Sequence, residues 1–208
     1  MKNWLNKIRT PQNNVRTGVQ VGYIVLSLLL GICLGVFAKW LDNLSINDAV
    51  WWQHVLGMLD LRNVFSRLAI WLLIALAISV YSPTPFRAAL HVFLFFAGMC
   101  VSYHLYTIAF SGFNPRSYMK IWYGLTVVSP IFGFLCWYGK GKHYVSLILD
   151  ILILGVMLRM TFSVGFWYFD FHGVIDTLIF IGAATVLYSR PKYTVLGILG
   201  GLVTAFLL

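Results

Sequence analysis

The stretch VQVGYIVLSLLLGICLGVFA, residues 19–38, decides the fold. Its 20 residues carry no charge and no proline, and about 20 apolar residues in a helix cross the roughly 30 Å hydrocarbon core of a bilayer. A secretory signal has an apolar run of only about 7–15 residues, closed by an A-x-A-like cleavage site. This run is longer and no such site follows it. It reads as an uncleaved first span, preceded by the basic juxtamembrane residues Lys2, Lys7, Arg9 and Arg16.

The rest of the chain repeats that pattern. Hydrophobic residues make up 60% of the 208 and charged residues 10%, against about 45–50% and about 25% in soluble domains. Mean hydropathy of +0.84 with 17% aromatic residues excludes disorder. Six further apolar runs lie at 64–82, 88–111, 119–138, 144–167, 173–189 and 193–208. The expected architecture is an all-α polytopic transmembrane helix bundle, one integral membrane domain over 1–208 with seven spans. Six is the lower count, because the last two runs are short and joined only by Ser189-Arg190-Pro191-Lys192. Ser82-Pro83-Thr84-Pro85, Asn114-Pro115 and Gly139-Lys140-Gly141-Lys142 punctuate the runs, and Pro130 predicts a kink inside the fourth. No internal repeat is present.

Short loops on the cytoplasmic side carry an excess of Lys and Arg. With the N-terminus inside, that side collects Lys2, Lys7, Arg9, Arg16, Arg87, Lys140, Lys142, Arg190 and Lys192, which is 9. The outer side collects Lys39, Arg62, Arg67, Arg116 and Lys120, which is 5, together with the loop acids Asp42, Asp48, Asp60 and Asp170. An N-in orientation in a bacterial plasma membrane follows, and seven spans put the C-terminus outside. The net charge of +9 is thus distributed as membrane anchors, without the continuous basic surface that nucleic acid requires.

Charges inside spans are costly and point to function. They are Asp150, Arg159 and Asp176. In the fifth run 10 Leu, Ile and Val residues from 145 to 158 contribute about −3 to −6 kcal/mol to insertion, which a central Asp and Arg offset at about +5 to +7 kcal/mol. Asp150 and Arg159 lie on opposite faces of one helix, so Arg159 is expected to pair with Asp170 or Asp176. His172 and Asp176, four apart, are expected to share a helical face. With His104 they form a polar cluster near the outer face, accompanied by Tyr103, Tyr106, Trp167 and Tyr168, and polar groups among aromatics make a small-molecule pocket or an aromatic belt. The outer loop 39–63, with Trp40, Trp51, Trp52 and His54, is either an interfacial segment or a lid over that pocket. The candidate ligand-binding residues are therefore Arg159, His104, Asp170, His172, Asp176, Trp167, Tyr168, Trp51, Trp52 and His54.

Cys33, Cys100 and Cys136 are spread singly and read as packing residues. No metal-ligand spacing, Walker A motif, GxSxG elbow or GxGxxG occurs, so neither an enzyme nor a cofactor is the favoured expectation. Gly31 and Gly35, and Gly197 and Gly201, carry the small-residue spacing that lets helices approach, either within the bundle or against a partner membrane protein.

At Trp51-Trp52-Gln53-His54-Val55-Leu56-Gly57, and again at Gly165-Phe166-Trp167-Tyr168-Phe169-Asp170, the chain resembles an uncharacterised family of small multi-pass membrane proteins from Gram-positive bacteria. It is more loosely similar to the substrate-binding subunits of energy-coupling-factor transporters, which are of this size and basic. That likeness implies an outward-facing site closed by an outer loop. Those subunits have six spans with both termini inside and an AxxxA docking pattern, where this first span has glycine spacing. The expected function is the binding or transport of a small solute through an outward-facing pocket, or else a non-catalytic subunit or assembly factor that docks a partner.

Overall fold

Each of the seven apolar runs contains a helix. The computed structural model describes the chain except Met1, residues 13–15, Ile46, Asp48, Lys142 and Phe166, and the side chains of Lys2 and Asn3. Asp48 and Lys142 of the charge balance lie outside the described residues. The elements are α1 (Lys2–Ile8), α2 (Thr17–Asn43), α3 (Trp51–Met58), α4 (Leu61–Ser66), α5 (Leu68–Tyr81), α6 (Pro85–Ser111), α7 (Arg116–Trp137), α8 (Tyr144–Thr161), β1 (Phe162–Gly165), β2 (Tyr168–Phe171), α9 (Val174–Leu187) and α10 (Pro191–Leu207). Among the described residues, α2, α6, α7 and α8 are long and apolar enough to span a membrane. The apolar helices α5, α9 and α10 have 14, 14 and 17 residues, about 21–26 Å at the α-helical rise.

The surface explains the composition. Leu26, Leu29 and Val36 on α2, Val127, Ile131 and Phe132 on α7, and Val195, Leu199 and Val203 on α10 all point away from the bundle. Contiguous apolar area of this extent is an aggregation liability in water and the natural exterior in lipid. The chain is a membrane protein.

Successive long helices run antiparallel. One end of the bundle, the amino end, holds α1 and the turns 82–84, 138–143 and 188–190. The other, the hairpin end, holds residues 44–67, 112–115 and 162–173. Two groups, α2–α6–α7 and α8–α9–α10, pack on either side of α5. Trp71 and Ala75 of α5 enter one core cluster with Phe95 and Met99, while Ala69, Leu76 and Val80 enter another with Leu154, Ile179 and Ala183. The glycine spacing is consumed inside the bundle. A Cβ on Gly31 would strike the Phe95 carbonyl, and one on Gly98 would lie 2.7 Å from the Leu28 carbonyl. A Cβ on Gly201 would lie 3.1 Å from the Gly155 amide nitrogen, across α8 and α10. Gly31, Gly35, Gly197 and Gly201 thus lie against the chain's own helices, the within-bundle alternative for this spacing.

Local chemistry sets the ends. Thr84 Oγ1 accepts from the Arg87 amide ahead of Pro85, and Gly112 closes α6 with φ of 71°. Inside α7, Pro130 cannot donate to the Thr126 carbonyl, and Ser129 Oγ donates to that oxygen at 2.8 Å instead.

Two runs differ from expectation. The second is broken at Arg67, which is extended (φ −88°, ψ 154°) between α4 and α5; its guanidinium turns to a carboxylate across the bundle. The fifth ends at Thr161 rather than at 167. Residues 162–165 and 168–171 pair as an antiparallel hairpin with Phe162 opposite Phe171 and Gly165 opposite Tyr168. Aromatic and β-branched residues suit a pleated, half-buried surface, and the ladder satisfies backbone groups that a loop would leave bare. The bundle is thus all-α apart from this hairpin.

Candidate functional site

At the hairpin end five helices converge on an aromatic crevice, α2 through Ala38. Phe65 of α4, Trp71 of α5, Tyr103 of α6, and Tyr118 and Trp122 of α7 wall it, with Met99, Cys100 and Met119 at its floor. Its volume is about 20 Å³, room for about one water molecule. Trp71 Nε1 donates to the Phe65 carbonyl at 2.9 Å across the Arg67 break, so two of the walls belong to one junction.

Polar groups gather beside it. Tyr103 donates its hydroxyl to Asp42 Oδ2 at 2.7 Å, and Lys39 Nζ lies 3.9 Å from the same oxygen. The Lys39 ammonium also sits 5.4 Å from the Tyr103 ring centroid and 5.7 Å from that of Phe113, within cation–π range. Burying a lysine is costly unless it is paired, and here a carboxylate and two rings share that role. Arg62 of α4 donates to the carbonyls of Leu41, Asp42 and Leu44, tying α4 to the C-terminus of α2, where a cation meets the negative end of the helix dipole.

The residues singled out in the sequence all lie at this end, but in separate places. His104 faces α7: Nδ1 accepts from the Tyr123 hydroxyl at 2.8 Å and Nε2 donates to Asn114 Oδ1 at 2.9 Å. His172 precedes α9, donates from Nδ1 to the Thr161 carbonyl at 2.8 Å and meets Ser163 Oγ at 3.1 Å. Both imidazoles use both nitrogens, and the expected His172–Asp176 pair does not form. Asp176 instead receives Arg67 Nη1 at 2.7 Å, with its side chain 3% exposed and that of Arg67 33%. Its position in the first turn of α9 favours a negative charge.

Arg159 is likewise corrected. It donates to the Val164 carbonyl at 3.3 Å and makes no ion pair with a carboxylate among the described residues. The cause is the shortened helix: ending α8 at Thr161 puts Arg159 in the last turn, exposed and beside the negative helix end, so the desolvation that demanded a carboxylate does not arise. Asp170 stands on exposed β2 opposite Ser163. Trp167, at the hairpin tip, is 98% exposed, and Tyr168 is exposed beside it. Trp51, Trp52 and His54 lie on α3, which packs on α4; Trp52 stacks on Trp40 with centroids 6.4 Å apart. The wall nearest the expected lid comes from Phe65, not from these residues.

Lys39, Asp42, Tyr103, Tyr118 and Trp122 were not among the sequence candidates. A usable signal existed: Lys39 and Asp42 lie three apart at the end of a continuous apolar helix, a spacing that pairs charges on one face. Among the described residues, no three His, Cys, Asp or Glu side chains converge as metal ligands. Compared with known proteins, the chain matches no family model, no curated protein and no solved structure.

Proposed function

We propose that the protein binds or moves a small solute through a site that opens outward at the hairpin end. In this reading all seven apolar helices cross a bacterial cell membrane with the N-terminus inside, and the short α9–α10 pair lies where the bilayer is thinned. The carrying observation is the aromatic crevice with the Lys39–Asp42–Tyr103 network beside it. Bundle stability does not require a buried lysine and a half-buried aspartate at that place, since apolar side chains would pack there without a desolvation cost. The crevice of about 20 Å³ is the closed state. Swinging α4 about the Arg67 break withdraws Phe65 and opens it, and an apolar solute with one polar end fits the rings and the tyrosine hydroxyls.

The test is thermal unfolding in detergent against a panel of indoles, phenols and small alcohols. A solute at 100 times its Kd stabilises by about 2.7 kcal/mol. The expected result is a stabilising solute whose effect disappears in Trp122→Ala and Tyr103→Phe and survives in Arg190→Gln at the other end. A panel with no stabilising member, or stabilisation that survives Trp122→Ala, defeats the reading.

A docking role for a partner membrane protein is the second reading. The exposed aromatic side chains Trp167, Tyr168 and Phe171 of the hairpin favour it. Recovery of a stoichiometric partner in mild detergent, lost on Trp167→Ala, supports it.

A further inference from the structure

The amino end carries a second, larger cleft that the solute site does not use. The segment after α1 folds back beneath the bundle: Ile8 is buried with Ala88, Trp137 and Tyr138, and the Gln12 amide donates to the Pro83 carbonyl at 2.9 Å. Arg9 is drawn in with it. Its Nη1 donates to the Trp137 carbonyl at 2.6 Å and its Nη2 to the Val80 carbonyl at 2.8 Å. Its guanidinium carbon sits 4.2 Å from the Trp137 ring centroid. Beside it opens a cleft of about 310 Å³, bordered by Arg9, Thr10, Gln12, Tyr81, Ser82 and Lys140. Lys140 Nζ lies over the Tyr81 ring at 4.9 Å.

The charge balance of this cleft is one-sided. A guanidinium has five N–H donors, and two carbonyls engage only part of that fork. Burial lowers the Arg9 pKa with no carboxylate acting against it. No Asp or Glu occurs in 1–41 or in 61–149, nor after Asp176, so the segments bordering the cleft contain none. Neither Arg9 nor Lys140 makes an ion pair with a carboxylate among the described residues. Two cations, the hydroxyl-bearing side chains of Thr10 and Tyr81 and the Gln12 side chain therefore border an open space with no carboxylate in the segments that line it. The guanidinium fork and the lysine ammonium are the groups that bind phosphate oxygens, the first as a planar pair of donors and the second as a point charge.

We propose that this cleft binds a phosphate group through Arg9 and Lys140, with Thr10 and Gln12 as hydroxyl and amide contacts. The cleft lies where the ends of α5 and α7 meet the water, the depth of phospholipid headgroups. Two sources share the chemistry: the headgroup of an anionic phospholipid and a soluble phosphate ester. The inference is independent of the solute site, which lies at the opposite end of the bundle.

The full chain in nanodiscs of mixed phosphatidylglycerol and phosphatidylcholine is released into native mass spectrometry. In parallel, glycerol 1-phosphate is titrated against the detergent-purified protein with thermal unfolding as the readout. Retained phosphatidylglycerol, but not phosphatidylcholine, supports the headgroup; stabilisation by glycerol 1-phosphate supports the soluble ester. Losing one charge-assisted contact should weaken binding about tenfold. Lys140→Gln is the first variant, because its ammonium meets only a ring and its loss should leave the fold intact; Arg9→Gln should weaken binding at least as much. Arg190→Gln, a cation of the same end away from the cleft, should change nothing. The proposal is overturned if neither probe binds, if both lipids are retained equally and glycerol 1-phosphate does not stabilise, or if Arg190→Gln lowers binding as much as Lys140→Gln.

Discussion

Replacing Arg67 by leucine tests how the two helix groups are joined. Arg67 is the extended residue between α4 and α5, and its Nη1 meets Asp176 Oδ2 at 2.7 Å. The Asp176 side chain is 3% exposed and its other oxygen, Oδ1, has no hydrogen-bond partner. Removing the arginine leaves a buried carboxylate with no cation, and breaking a buried pair in this way costs about 3–5 kcal/mol. Because Arg67 is one-third exposed, the lower value applies, about 3 kcal/mol. For a chain of this length each kcal/mol shifts Tm by about 2–4 °C, so Arg67→Leu should lower Tm by about 6–12 °C. Asp176→Leu removes the charge that needs compensation and leaves an arginine that reaches water; it should cost less. The double variant should unfold no lower than Arg67→Leu and recover part of its loss, because an apolar pair of similar volume replaces an ion pair with little penalty. The assay is thermal unfolding in detergent of the two single variants and the double. Additive losses, or a Tm for Arg67→Leu within about 2 °C of the parent, would refute the claim that this pair couples α5 to α9.

Gly31→Val should prevent α2 from seating on α6, because its side chain would enter the Phe95 carbonyl, whereas Gly22→Ala meets nothing within 4 Å and should be tolerated; Tm in detergent separates them. Ser129→Ala should cost about 0.5–1.5 kcal/mol by freeing the Thr126 carbonyl, and less in a Pro130→Ala background, where a restored backbone N–H takes that oxygen. Asp150 is buried in α8, and its Oδ1, against Gly139, has no hydrogen-bond partner among the described residues; Asp150→Leu should stabilise by about 1–3 kcal/mol, and loss of stability instead would show that the carboxylate has a partner in the folded protein. In whole cells, with Cys33, Cys100 and Cys136 replaced by serine, an impermeant thiol reagent should label a cysteine at Ser45 and spare one at Lys140; the reverse pattern overturns the N-in orientation.

The amino-acid sequence alone determined that this is a membrane protein of apolar helices, and each of its seven apolar runs contains one. Hydrophobic length is a local property: a run such as 19–38 must find an apolar solvent whatever its neighbours, and α2 contains it whole. Gly31, Gly35 and Gly201 marked close helix contacts for the same reason, since only a missing side chain admits a neighbouring backbone. Which helices would use those contacts was not legible, and the structure assigns them to α6 and α8.

Partnership between distant charges belonged to tertiary structure alone. Asp176 could be given a partner from sequence only among nearby residues, and His172 and Arg159 were the candidates. Its partner is Arg67, 109 residues away, because α5 and α9 pack side by side and bring their N-terminal ends together. The end of α8 was equally hidden. Phe162 to Gly165 continue the apolar run of the helix before them, and hydropathy cannot distinguish a sixth turn from a strand when pairing with Tyr168 to Phe171 is what satisfies the backbone. That single difference moved Arg159 to an exposed helix end and removed its need for a carboxylate. The aromatic crevice follows the same logic: its lining comes from five helices spread over residues 38–122, and only their packing brings the rings to one place.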